Sequence, residues 1–147
     1  MDYCERFFYA MRMGKMTTVR QLLDENPELA NMREQKSLTP LHVAAQSGDL
    51  DLAALLLDRG AHLEAQSAET GSTPLKYAVF FAQIDMVKML LQKGADVENS
   101  GGTSRTPLQL AEDATSPMFR DMGTPGSDLD YARIANILRG KSVRKKL

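Results

Sequence analysis

Residues 39–63 read TPLHVAAQSGDLDLAALLLDRGAHL, and the fold follows from this stretch. Thr39 offers a hydroxyl to cap a helix N-terminus, and Pro40 suits the first turn, where no N–H is needed. The helix so begun runs to Ser47 and stops at Gly48, a residue that tolerates left-handed geometry. A second helix, Leu50 to Arg59, carries apolar residues at 52, 53, 55, 56 and 57 and stops at Gly60. Ala61-His62-Leu63 then leads into a polar loop, 64–72. Helices this short are marginal alone and need neighbours to pack against.

The neighbours are in the chain itself. Thr-Pro-Leu returns at 73–75 and 106–108, separations of 34 and 33 residues. In that register Gly48 falls opposite Ala82, Gly60 opposite Gly94, and Leu55-Leu56-Leu57 opposite Met89-Leu90-Leu91. One period upstream, Ala10 aligns with Ala44, Gly14 with Gly48, and Leu22-Leu23 with Leu56-Leu57, without the Thr-Pro-Leu signature. The spacing predicts further helices over 74–82 and 84–93. A period in this range marks a stacked array whose units bury a common core.

These units resemble ankyrin repeats, whose pattern is roughly G-x-T-P-L-H-x-A-A-x-x-G followed by an amphipathic helix ending L-L-x-x-G-A-D. The tetratricopeptide repeat shares the period but lacks the capped Thr-Pro turn and the loop between units. The stretch STPLKYAVFFAQIDMVKMLLQKGADVE, 72–98, departs at Lys76 for His, Val79 for Ala and Ala82 for Gly. The resemblance implies an all-α solenoid of about four helix-turn-helix units with projecting hairpin-like loops. The units are expected at about 2–36, 37–70, 71–103 and 104–140, in one domain, with a basic tail at 141–147. The fourth is interrupted. After TPLQLAEDAT comes SPMFRDMGTPGSD, 116–128, before a helical pattern resumes at Leu129–Leu138 with Ser127 or Asp128 able to cap it.

Composition narrows the function. The chain has 147 residues, 43% hydrophobic and 25% charged, which fits one ordinary globular domain. One cysteine, Cys4, excludes an internal disulfide, and two histidines leave little for structural zinc. No apolar run is long enough to span a membrane, and no secretory signal opens the chain, so a cytoplasmic protein is expected. Net charge is −1, split between +4 in residues 128–147 and −5 in the rest. That balance does not point to nucleic acid. The basic tail complements the dipole of the helix before it.

No constellation for chemistry emerges. Neither histidine pairs with Cys4 or a serine as a nucleophilic triad requires. Gly14-Lys15 lacks the flanking glycine and hydroxyl residue of a phosphate loop. Asp121, Asp128 and Asp130 lack the alternation and terminal Glu of a calcium loop. The expectation is therefore no enzyme, no cofactor, no metal and no small-molecule substrate. His42 is expected to bridge its turn and the next unit's backbone, as the resemblance implies, and His62 to be an exposed loop residue.

By the same resemblance the chain is a protein-binding adaptor, contacting a partner through a concave face and loop tips. The fingers are expected to offer Arg33, Gln35, Lys36 and Leu38, then Glu69, Thr70 and Ser72, then Thr103 and Arg105. The palm is expected to offer Arg12, Met13, Gln46, Ser47, Phe80, Phe81 and Asp113. Phe80 and Phe81 are the expected hot spot, because Leu75, Ala78 and Val79 already supply the buried face of their helix. A rival reading lets the insertion fold back, with Met118 or Phe119 covering the pair. An alternative function is a regulatory subunit whose insertion 116–128 contributes to a partner's active site.

Overall fold

A computed structural model describes residues 2–35, 37–117 and 123–146. Lys36 of the expected fingers, and Met118 and Phe119 of the insertion, lie outside the described residues. The described residues form α1 (Tyr3–Arg12), α2 (Met16–Glu25), a 3₁₀ turn (Pro27–Asn31), α3 (Pro40–Ser47), α4 (Leu50–Asp58), α5 (Pro74–Phe80), α6 (Ile84–Gln92), α7 (Pro107–Ala114) and α8 (Asp128–Lys146). Among them the only β pairing is a single antiparallel bridge, Glu34 with Leu38, in the first projecting loop.

Each Thr-Pro turn starts its helix as the sequence implies. Thr39, Thr73 and Thr106 are extended N-caps, and their hydroxyls accept from the backbone N–H groups of His42, Lys76 and Gln109 at 3.4, 3.3 and 3.2 Å. Gly48 ends α3 at φ +74. Its counterpart Ala82 takes φ +56, a left-handed conformation that a Cβ disfavours. As a result α5 ends at Phe80, two residues short of the sequence reading, with Phe81 as its C-cap.

The helices form two rows. α3, α5 and α7 pack side by side, α4, α6 and α8 line up behind them, and each pair is joined within its unit. The core runs between the rows through Leu41, Leu52, Leu56, Leu75, Met86, Leu90, Ile134 and Leu138, all at most 1% exposed. At the N-terminal end Phe7 and Phe8 are buried edge-to-face, with ring centres 5.9 Å apart. The loops are laced to one another: Ala68 N–H donates to the Ser37 carbonyl at 3.2 Å, and Gly102 N–H to that of Gly71 at 2.8 Å.

The interrupted unit still supplies the next helix of the back row. α8 begins with a capping box, in which Asp130 N–H donates to Ser127 Oγ (3.2 Å) and Ser127 N–H to Asp130 Oδ2 (3.1 Å). Tyr131 is fully buried, and its hydroxyl donates to the Phe80 carbonyl at the end of α5 while accepting from Gly126 N–H at 3.3 Å. Gly126 presses so closely on Ala82 that a Cβ there would lie 2.3 Å from the alanine methyl. The end of the insertion is thus seated on the α5–α6 corner. α8 also passes through Gly140 and Lys141 without a break, so residues 141–146 of the tail set apart in the sequence reading continue this helix.

Candidate functional site

The site is built on α5. Tyr77, Phe80 and Phe81 are spaced i, i+3, i+4 and share one helical face. Leu75, Ala78 and Val79 take the opposite, buried face. Phe80 is 40% exposed, Phe81 is half-buried, and their rings meet edge-to-face with centres 5.1 Å apart. Tyr77 joins the cluster, 6.3 Å from Phe81 and 4.9 Å from the His42 ring.

These rings floor a groove of about 500 Å³ between α5, α7 and the loops. Of the residues expected to bind a partner, Leu38, Gln46, Thr70, Ser72, Phe80, Phe81, Thr103 and Arg105 line it. A second hollow of about 540 Å³ adjoins it across Gln46 and Phe81 and contains Arg12 and Ser47. Other expected residues lie apart from the main groove. Met13 is exposed at the end of α1. Arg33 donates to the Ser37 carbonyl at 2.8 Å, which holds the first loop, where Gln35 takes φ +45. Glu69 is exposed on the second loop.

Three of the expected polar residues are already engaged. Arg12 pairs with Glu34 through both guanidinium nitrogens, and Arg105 pairs with Asp113. The repeat explains the row. Arg12, Gln46, Phe80 and Asp113 occupy equivalent positions, and two of these four are held in ion pairs at the flanks of the phenylalanines.

Lys76 is the residue that sequence reasoning missed. It departs from the histidine of the pattern, yet does the same work. His42 Nε2–H donates to the Ser72 carbonyl at 2.8 Å, while Nδ1 accepts from the Thr39 hydroxyl, also at 2.8 Å. Lys76 Nζ reaches one loop further on, donating to the Ser100 carbonyl at 3.1 Å and to the Thr103 hydroxyl. Lys76 is only 3% exposed. Burial pushes its ammonium below the ordinary lysine range, and Arg105 adds to that push. The available signal was the column itself: His42, Lys76 and Gln109 are all polar where helix neighbours are apolar. Tyr77 and Leu110, also in the groove wall, share the column of Val43.

The Tyr131–Phe80 contact was equally hidden, because it joins residues far apart in the chain. Among the described residues there is no group of three acidic, histidine or cysteine side chains placed to hold a metal. None of their helices is long and apolar enough to cross a membrane.

Stacked helix pairs with Thr-Pro caps, laced loops and a groove across the front row define a helical-repeat protein. Residues 7–101 match the family described as "Ankyrin repeats (3 copies)", and the chain belongs to the ankyrin-repeat family. It is similar to the human ankyrin repeat domain-containing protein 49, with 41% identity over 51 residues, covering 35% of this chain and 21% of that protein. The match thus spans about a fifth of that relative's length. Ankyrin repeats are generally protein–protein interaction modules and typically non-catalytic.

Proposed function

We propose that this chain is a non-catalytic adaptor that holds a protein partner against the groove floored by Phe80 and Phe81, with the loop tips at Thr70, Thr103 and Arg105 gripping its edges. The observation that carries the reading is an apolar pair left open to water in the middle of the front row. Phe80 is 40% exposed although its neighbours bury every other large apolar side chain of α5 except Tyr77 and Phe81. Covering the exposed part of that ring is worth about 1–2 kcal/mol. Central aromatics rimmed by polar groups are the usual anchors of an interface. Gln46, Thr70, Thr103 and the Arg105–Asp113 pair supply the rim.

The test is Phe80→Ser combined with Phe81→Ser, followed by thermal melting and affinity capture from the native cell. A binding groove gives unchanged or higher melting temperature and loss of the captured partner. A drop of several degrees with the partner still captured would make the pair part of the core and end this reading.

A further inference from the structure

The groove has a chemical polarity that its apolar floor conceals. Among the described residues no carboxylate lines it, whereas Lys76 and Arg105 both do. Arg105 is engaged by Asp113. Lys76 has no carboxylate partner among the described residues; the Ser100 carbonyl and the Thr103 hydroxyl take two of its three N–H donors. A buried cation held only by neutral oxygens is poorly compensated, and a carboxylate brought to the wall beside it offsets its lost hydration.

Position sets the spacing. Lys76 lies four residues before Phe80, so the two side chains sit one turn apart on the helix, about 5–6 Å between Cβ atoms. In an extended segment, residues two apart point to the same side, about 6.5–7 Å from each other. The second spacing exceeds the first by about 1 Å, which the Lys76 side chain makes up by reaching to the loop at Ser100 and Thr103.

We propose that the groove receives an extended protein segment carrying a bulky apolar residue and an Asp or Glu two positions away. The apolar side chain lies on Phe80 and Phe81, and the carboxylate lies at the Lys76–Thr103 end. This inference rests on the groove being the binding surface and adds the chemistry of what binds.

The experiment displays random short peptides, selects them on the full chain, and measures the affinity of the winners as synthetic peptides. The expected winners carry an acidic residue two positions from a large apolar one and lose binding to the Phe80→Ser, Phe81→Ser variant. Changing the peptide's Glu to Gln weakens binding to the native protein by about tenfold or more, as loss of a charge-assisted bond predicts. The same change costs less than about twofold against Lys76→Gln. Should Lys76→Gln fail to fold by circular dichroism, Lys76→His, which restores the residue type of the preceding unit, takes its place. Winners that need the phenylalanines but show no acidic preference, or whose Glu→Gln penalty persists in the Lys76 variant, overturn the carboxylate proposal and leave the groove reading standing. Winners that bind the double serine variant as well as the native protein overturn both.

Discussion

His42 shows how one side chain ties two units together. The Ser72 carbonyl can only accept, so Nε2 carries the proton and Nδ1 is left as an acceptor for the Thr39 hydroxyl. Protonating Nδ1 would remove that acceptor. Burial lowers the His42 pKa below its ordinary 6.5, the Ser72 carbonyl opposes the shift, and Arg33 adds to it. A depressed folded value means that the unfolded chain takes the proton first. The stability His42 contributes is therefore complete above about pH 6.5 and is lost as pH falls through the folded value. Urea melts between pH 5 and 8 should show that slope. In His42→Ala the slope should flatten, with about 1–3 kcal/mol lost at neutral pH because the Ser72 and Thr39 groups are left unpaired. An unchanged slope in the variant would place the titrating group elsewhere.

At the scale of elements, the corner between α5 and α6 concentrates the departures from the repeat. Ala82 stands left-handed where Gly48 does so freely. Tyr131 ties the α5 terminus to the start of α8. Tyr131→Phe removes a buried hydroxyl that serves both the Phe80 carbonyl and Gly126 N–H, and should cost about 1–2 kcal/mol in chemical denaturation. Gly126→Ala should destabilise as well, because its new methyl meets that of Ala82. By contrast, replacing residues 117–123 with a short turn leaves these contacts, and the hydrogen bond between Thr124 and Tyr131, in place. It should leave the melting temperature near that of the full chain, since loop length changes closure cost only slowly. A collapse of the melting temperature in that deletion would assign a core role to the excised segment. Thr73→Ala, which removes the N-cap of α5, should cost about 1 kcal/mol and leave peptide binding intact below the melting range.

On the scale of the molecule, stability in a stacked array is a sum of unit and nearest-neighbour terms, so its ends must be closed. α8 closes one end. Tyr131, Ile134 and Leu138 are completely buried, and each contributes about 1.5–3 kcal/mol of apolar burial. Truncation after Ser127 should therefore remove several kcal/mol in urea unfolding, whereas truncation after Gly140 keeps all three residues and should change little. Equal losses from the two truncations would mean that the last turns of α8, where Ser142 donates to Glu98, stabilise the stack as strongly as its buried face.

Short-range chemistry made most of the fold legible. Thr39, Thr73 and Thr106 cap because a hydroxyl and a following proline dictate it locally, and the period then places each helix beside its copy. The same periodicity put Phe80 and Phe81 on the open face, since every apolar contact α5 needs is supplied by Leu75, Ala78 and Val79. Local reading failed where partners are distant in the chain. The early end of α5 depends on the left-handed Ala82 and on the Tyr131 hydroxyl arriving from α8. Nor does sequence show that Lys76 replaces histidine by reaching the corresponding loop one repeat on, or that Asp113 is already held by Arg105. Local sequence sets which backbone groups must be capped and which side chains must be hidden; only the assembled stack decides which distant atom meets each of them.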